Sequence, residues 1–274
     1  MQYINFQPLG KKTSRIGLGC GRLVGRSSLR SSAKILETAL DLGIRYFDVA
    51  PSYGMGTAEE VIGSVIGDLS EVTIATKVGI SRPSYCATKN LLRQFVKPVL
   101  CQGGSLKMLA QRFYTRSQKS RREPKRFDFS TDVIYKSLQE SLEKLRRDSV
   151  DVCLAHEPHS ADLCEEIEQR FQSLREAGLI TAYGVGVGAI GDRRGRRFGT
   201  IWQSCWPGES AQQYKKDVAY IWHGAIRLLS QSQSGMNTIP PSSIVRTVLE
   251  QSPDGILLVS VSSPARLKEL LQEI

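Results

Sequence analysis

Four residues of the sequence are of types that together carry out proton-transfer chemistry: Asp48, Tyr53, Lys77 and His156. A tyrosine phenol has an ordinary pKa of about 10, so at neutral pH it holds a proton that a carbonyl oxygen can accept as it becomes an alkoxide. A nearby ammonium lowers that pKa by favouring the phenolate, and a carboxylate keeps the ammonium charged and oriented. A neutral imidazole can donate a hydrogen bond to the same substrate oxygen. These residue types therefore fit the reduction of a carbonyl group.

Each residue by itself also has a structural explanation. Asp48 could cap the turn that follows it, Lys77 could reach solvent from a strand end, and His156 could be a hydrogen-bonded core imidazole. The combination is more specific than its members, because the order and the positions of all four agree with one site and one kind of chemistry.

The elements that must position these residues are short apolar runs that alternate with amphipathic helices. This alternation predicts strand–helix units on a parallel sheet, and eight units predict an α/β fold, the (β/α)8 TIM barrel, whose active site lies at the carboxyl ends of the strands. Asp48, Lys77 and His156 lie at or near the ends of the second, third and fourth strands, and Tyr53 lies in the loop after the second. The eight predicted strands are residues 15–21, 44–50, 72–79, 150–157, 180–187, 199–206, 218–225 and 255–261.

Two further patterns predict elements around the barrel. The N-terminal stretch MQYINFQPLGKKTS predicts a short β-hairpin that could plug the bottom of the barrel. The most distinct helical pattern is STDVIYKSLQESLEKLRR, for which Ser130 is the candidate N-cap. Its apolar residues fall on one stripe at helical spacing, and they are Ile134, Leu138, Leu142 and Leu145.

The connection after the third strand, residues 80–129, is unusually long for a compact domain and predicts a lid, a binding loop or a disordered segment. Between Lys107 and Arg126, eight basic residues stand against the single acid Glu123, so this stretch carries +7 of the net charge of +10. Residues 192–197 supply the other +3. The connection is either a solvated excursion or a cationic lid that favours an anionic or carrier-bound substrate. Because its few aromatic residues make a poor stacking platform, we do not expect nucleic acid as a partner.

The remaining composition places the chain among intracellular proteins. Six cysteines form no CxxC pair and lie mostly in apolar runs, so we expect free thiols rather than a zinc site or disulfides. The N-terminal segment lacks the features of a signal peptide, and no apolar stretch approaches the length of a membrane span. No linker or internal repeat divides the chain. We therefore expect one domain over residues 1–274, cytoplasmic, with no membrane or metal partner.

The sequence resembles the aldo-keto reductase superfamily in four segments that span nearly the whole chain, namely FDVAPSYGMGTAEEVIG, IATKVG, SLEKLRRDSVDVCLAHEPH and SPARLKELL. The resemblance implies that Tyr53 is the proton donor and that His156 orients the carbonyl. It implies that Lys77 and Asp48 tune the phenol. It also implies an oxidoreductase that transfers hydride between a nicotinamide cofactor and a small-molecule carbonyl substrate without a metal. The expected cofactor is NADP(H) by preference, with NAD(H) as the other choice.

The same resemblance implies a set of residues that bind the cofactor. Gln203 lies on the sixth strand, and Trp222 is expected against the nicotinamide ring, although a core tryptophan fits the same position. The loops after the last two strands would hold the phosphates, with Arg266 reaching the adenosine 2′-phosphate unless it is simply an exposed arginine. His223 is expected to be structural or at the pocket rim. The predicted cofactor-binding residues are Gly186, Gln203, Trp222, Ser260, Ser262, Arg266 and Glu269.

Several positions depart from the pattern of the superfamily. Gly186 and Val187 stand where a Ser–Asn pair usually binds the nicotinamide carboxamide, Ser260 replaces a phosphate-binding lysine, and Leu270 replaces an asparagine near the adenine. These departures leave an alternative open, in which the chain is a cofactor-binding regulatory or scaffold protein with little turnover.

Overall fold

The computed structural model describes residues 1–23, 29–83, 127–188, 198–208, 218–231 and 240–272. An antiparallel hairpin comes first, formed by β1 (Tyr3–Phe6) and β2 (Lys11–Ser14). Eight parallel strands follow and close into a barrel in chain order, because β10 pairs with both β9 and β3. They are β3 (Ile16–Gly19), β4 (Tyr46–Asp48), β5 (Thr73–Val78), β6 (Val150–His156), β7 (Ile180–Gly186), β8 (Ile201–Cys205), β9 (Ala219–His223) and β10 (Ile256–Val259).

Helices cover the outside of this barrel. In the described part of the chain they are α1 (Leu29–Asp41), α2 (Ala58–Ile66), α3 (Thr131–Leu145), α4 (Glu165–Glu176), α5 (Ala225–Gln231), α6 (Pro241–Gln251) and α7 (Pro264–Leu271). The predicted TIM barrel is therefore confirmed, and each of the eight predicted strands contains one observed strand.

The amphipathic stripe of α3 packs inward as its spacing predicts. Ser130 is the N-cap residue but makes no side-chain capping bond, and its backbone N–H instead donates to the carboxylate of Asp128 at 2.9 Å. The last turn ends at Arg146, which adopts the left-handed conformation with φ of 55°. The buried residues of the helix are Ile134, Leu138, Ser141, Leu142 and Leu145.

The N-terminal hairpin plugs the barrel, also as predicted. Phe6 is buried at 1% exposure among the side chains inside the barrel, and its ring meets that of Tyr46 edge-on with 6.4 Å between centroids. The apolar residues that share this interior include Val152, Leu154, Ile221, Ile256 and Leu258. With this end filled, the opposite end, where the parallel strands finish, is the one open to a ligand.

Several predictions concern residues outside the described ranges. Only residues 80–83 and 127–129 of the connection 80–129 are described. Within them, Ile80 forms an antiparallel bridge with Phe127. The basic stretches 107–126 and 192–197 lie outside the described residues, so their proposed roles stay predictions. Within the described ranges, Cys20, Cys153, Cys164 and Cys205 are free thiols. None of the described helices is long and apolar enough to cross a membrane.

Candidate active site

A buried ion pair lies where β4 and β5 end. The Lys77 ammonium donates to the carboxylate of Asp48 at 2.5 Å and to the carbonyl oxygen of Val49 at 3.0 Å. Both charged side chains are about as buried as the core, with exposures of 2% and 3%. Buried charges are tolerated when they are paired and hydrogen-bonded. The two strands pair in register, with Asp48 beside Ala75, and this register places both side chains at the same end of the barrel.

Tyr53 reaches this pair from the turn Tyr53–Gly56, which connects β4 to α2. The turn is possible because Gly54, Met55 and Gly56 all adopt positive φ angles, a conformation that costs little for glycine and more for methionine. The Lys77 ammonium lies 4.8 Å from the centroid of the Tyr53 ring. The phenol is thus held next to a fixed positive charge.

His156 completes the group from the end of β6. Its ring meets the Tyr53 ring edge-on, with 5.8 Å between centroids and an interplanar angle of 85°. Lys77 and His156 come from adjacent strands, since Lys77 pairs with Leu154 in the sheet. The structure therefore brings together all four side chains that the sequence predicts for proton transfer.

The electrostatics of this group keep the phenol protonated. Burial raises the pKa of Tyr53, the Lys77 ammonium opposes that rise, and the Asp48 carboxylate adds to it. Lys77 acts in the direction that the sequence predicts, but burial outweighs it, so the net pKa of Tyr53 lies above its ordinary value. Burial lowers the pKa of Lys77, and its two neighbours, Asp48 first, more than offset this, so that pKa also lies above its ordinary value.

The four side chains line one cavity of about 400 Å³ at the mouth of the barrel. This volume is within the usual range for small-molecule sites. Much of the wall is glycine backbone, which lets a flat ring approach the main chain closely. The glycines of the wall are Gly19, Gly21, Gly186, Gly188 and Gly224.

Three of the predicted cofactor residues line the cavity: Gly186, Gln203 and Ser260. The side-chain oxygen of Gln203 is buried and accepts no hydrogen bond from the described residues. A buried amide oxygen without a partner costs free energy, so this atom fits a donor from a bound ligand. The Ser260 hydroxyl donates to the carbonyl oxygen of Gly19 at 3.0 Å.

Trp222 does not line the cavity, and the reason is the alternation of side chains along β9. It is buried at 1% exposure, and its Nε1 donates to the Ser252 hydroxyl at 2.8 Å. Its ring stacks on Tyr220 and meets Trp206 edge-on. The structure thus gives Trp222 the core position that was the alternative for this residue.

His223, the next residue along, lines the cavity instead. Its Nε2 lies 2.8 Å from the carbonyl oxygen of Val187, which places the ring proton on Nε2 because a carbonyl oxygen only accepts. Burial lowers the pKa of His223, so the ring is neutral at neutral pH. Because side chains alternate along β9, only one of the neighbours Trp222 and His223 can face the cavity. The sequence shows this alternation but does not show which of the two faces inward.

The remaining predicted residues, Ser262, Arg266 and Glu269, lie outside the cavity wall. Arg266 donates to the Glu269 carboxylate at 2.7 Å, and both side chains are more than 60% exposed, at 61% and 64%. The N-terminus of α7 is capped by Ser263, whose hydroxyl accepts from the Arg266 backbone N–H at 3.3 Å.

Three charged residues of the cavity wall were missed by sequence reasoning, Arg22, Glu157 and Arg227. Glu157 directly follows His156 and adopts a positive φ of 56°, which no local sequence signal indicates. Among the described residues, no three His, Cys, Asp or Glu side chains are grouped as a metal site requires, and the expected absence of a metal stays a prediction.

Comparison with known proteins gives one consistent result. Residues 15–191 match the family model described as Aldo/keto reductase family. The chain is 27% identical over 192 residues to aldo-keto reductase YhdN of Bacillus subtilis, covering 68% of this chain and 46% of the relative. It is 31% identical over 164 residues to D-threo-aldose 1-dehydrogenase of a Pseudomonas species, covering 56% of this chain and 42% of the relative. The matched part thus spans about half the length of these curated relatives.

A solved structure shares the fold over the whole chain. The holo form of an aldo-keto reductase from Bacillus halodurans superposes with a TM-score of 0.72 at 17% identity, covering 100% of this chain and 90% of that one. The glycerol dehydrogenase of Gluconobacter oxydans gives a TM-score of 0.71 at 18% identity, covering 99% and 90%. At these identities the likeness concerns the fold alone.

Proposed function

This chain belongs to the aldo/keto reductase family, and from that membership we propose that it transfers hydride between a nicotinamide cofactor and a carbonyl or alcohol substrate, with Tyr53 as the proton donor. NADP(H) is the preferred cofactor in this proposal, and NAD(H) is the other choice. The observation that carries the proposal is the buried pair of Lys77 and Asp48 beside the Tyr53 ring. A buried charge pair that contacts a phenol inside a cavity is an arrangement suited to proton transfer.

The residues of the cavity fit a nicotinamide cofactor. The buried oxygen of Gln203, which has no donor among the described residues, is placed to accept from a carboxamide. Gly186 and its neighbours leave room for a flat ring against the backbone, and Ser260 is part of the same wall. When bound, the nicotinamide supplies or accepts the hydride, which is chemistry that no side chain of this site performs.

The residues of the chain manage the proton. In the reducing direction the Tyr53 phenol donates its proton to the carbonyl oxygen as the carbonyl carbon receives hydride, and the product is an alcohol. The phenolate left behind is stabilised by the adjacent Lys77 ammonium, which Asp48 keeps charged. His156, edge-on to Tyr53, is placed to donate a hydrogen bond to the same oxygen.

The substrate class proposed here is a small aldehyde or ketone. The cavity wall combines polar groups, such as Gln203, His223 and Glu157, with glycine backbone, so substrates that carry hydroxyl groups fit it as well as apolar ones. One curated relative is named as an aldose dehydrogenase. Aldoses and short hydroxyaldehydes therefore belong in the first panel.

The test is a spectrophotometric assay of purified protein with NADPH or NADH and a panel of aldehydes, ketones and aldoses. The proposal expects oxidation of the cofactor with at least one aldehyde. Cofactor binding without turnover on any member of the panel would instead support the alternative of a regulatory or scaffold protein. That alternative is favoured by the apolar Gly186 and Val187, which provide no side-chain hydrogen bond to a bound cofactor.

A further inference from the structure

A second ion pair, formed by a buried carboxylate and a partly buried guanidinium, lies beside the turn that carries Tyr53. Glu59, on α2, has no exposed surface, and one of its carboxylate oxygens accepts from the Arg82 guanidinium at 2.6 Å. The other carboxylate oxygen accepts from the hydroxyl of Thr76, on β5, also at 2.6 Å. One carboxylate oxygen of Glu59 is therefore bonded to β5 itself, and the other to Arg82, the fourth residue after the end of β5.

Arg82 also binds the turn itself. A second nitrogen of its guanidinium donates to the carbonyl oxygen of Gly56 at 3.0 Å. Gly56 is the last residue of the turn, and a Cβ at that position would lie 3.1 Å from the Cγ of Arg82. One planar side chain thus joins the end of the turn to the buried carboxylate of α2.

The turn needs such support because its backbone is unfavourable. Gly54, Met55 and Gly56 take φ angles of 56°, 60° and 87° in succession. A methionine in the left-handed region persists only where its surroundings determine the conformation. Thr57 closes the turn with two more hydrogen bonds: its backbone N–H donates to the carbonyl oxygen of Tyr53, and its hydroxyl donates to that of Gly54 at 2.8 Å.

We infer that Arg82 is a positioning residue for Tyr53. It does not line the cavity, and it acts by holding the Tyr53–Gly56 turn in the conformation that directs the phenol at Lys77. This inference rests on the proposed role of Tyr53 as proton donor. The role requires a guanidinium, because only a fork of N–H donors reaches Glu59 and Gly56 at once, and a lysine provides one point of contact.

The decisive experiment compares Arg82→Met with Arg147→Met. Arg147 is a matched control, since it is similarly shielded, with 13% side-chain exposure against 18% for Arg82, and it also donates to loop carbonyls, those of Gly67 and Leu69. We expect Arg82→Met to lower kcat at least about tenfold, because small misplacements of a catalytic group are costly. The KM for the carbonyl and the Kd for the cofactor should stay within about twofold. Arg147→Met should lose thermal stability and keep its kcat.

Two further variants keep the inference testable even if Arg82→Met does not fold. Arg82→Lys keeps a charge beside Glu59 but loses the contact with Gly56, so we expect a kcat between those of wild type and Arg82→Met. If Arg82→Met does not fold, the double variant Glu59→Gln/Arg82→Met removes both charges of the pair and takes its place. An unchanged kcat in the folded Arg82 variants would overturn the inference.

A second readout does not depend on turnover. Hydrogen exchange measured by mass spectrometry should show the peptide that covers residues 50–57 exchanging at least about tenfold faster in Arg82→Met than in Arg147→Met, because local opening follows the loss of local contacts. Equal exchange in the two variants would also overturn the inference. Absence of turnover in the wild type would refute the proposed function alone, and the exchange data would still decide whether Arg82 holds the turn.

Discussion

At the scale of single residues, burial and two charged neighbours act in opposite directions on the pKa of Tyr53, the proposed proton donor. Burial raises the pKa of Tyr53 and Lys77 lowers it, and burial is the larger effect. A phenol that stays protonated is suited to donate, which is the reducing direction. The ammonium is charged because Asp48 is bonded to it at 2.5 Å, so in the proposed reaction it would stabilise the phenolate that donation leaves.

The raised pKa of Tyr53 predicts the pH dependence of turnover. Donation needs the protonated phenol, so kcat for carbonyl reduction should stay level through neutral pH and fall only in the alkaline range, above the ordinary tyrosine pKa of about 10. Oxidation of the alcohol needs the phenolate and should rise with pH over the same range. The check is to measure initial rates in both directions from about pH 6 to about pH 11, and so to compare the rates at neutral pH with those in the alkaline range. A reduction rate that already falls near neutral pH would contradict it.

The Lys77–Asp48 pair predicts that a second substitution can restore stability without restoring activity. Lys77→Met leaves the Asp48 carboxylate buried without its partner, which should cost about 3–5 kcal/mol of unfolding free energy in urea. The double variant Asp48→Asn/Lys77→Met should recover much of that loss, because no buried charge remains. Neither variant should turn over at more than a small fraction of the wild-type rate. A double variant with wild-type activity would show that the ammonium plays no part in catalysis.

At the scale of elements, most of the site could be predicted because strand ends are visible in the sequence. Asp48, Lys77 and His156 each lie at or near the end of an apolar run, and the carboxyl ends of parallel strands meet at one mouth. The turn Tyr53–Gly56 could be located but its backbone could not, since no pattern signals the left-handed conformation of Met55. The sequence also could not show whether Trp222 or His223 faces the cavity, because a register shift of one residue exchanges the two.

The C-terminus of α3 gives a prediction on stability alone. Arg146 is exposed and takes the left-handed conformation that glycine prefers at this position. Arg146→Gly should raise the free energy of unfolding by about 1 kcal/mol and leave kcat unchanged, since the residue is remote from the cavity wall. Chemical denaturation measures the effect. Arg146→Ala is the control, because it keeps the Cβ and should give no gain.

At the scale of the whole molecule, the two ends of the barrel differ: one is packed with apolar side chains, and the other holds the candidate active site. The hairpin closes one end through Phe6, and the cavity with Tyr53 occupies the other. The closed barrel was predictable from the count of apolar runs, whereas the basic stretch 107–126 lies outside the described residues and its role as a lid stays a prediction.

This separation predicts that a change at the plug affects stability and not binding. Phe6→Ala should cost about 3–5 kcal/mol of unfolding free energy, because it removes a fully buried ring from the barrel interior. The Kd for NADPH of the folded variant, measured by fluorescence titration, should match that of the wild type. A large loss of cofactor affinity at a temperature where the variant is folded would show that the two ends are coupled.

The central claim is that Tyr53 donates the proton, and the most direct measurement is the turnover of Tyr53→Phe beside that of Tyr135→Phe. Tyr135 lies exposed on α3 and serves as the matched control for loss of a phenol hydroxyl. The account predicts that Tyr53→Phe binds NADPH as tightly as the wild type and loses at least about a hundredfold in kcat, as removal of a general acid does, while Tyr135→Phe keeps full activity. A folded Tyr53→Phe variant that reduces carbonyls at the wild-type rate would contradict it.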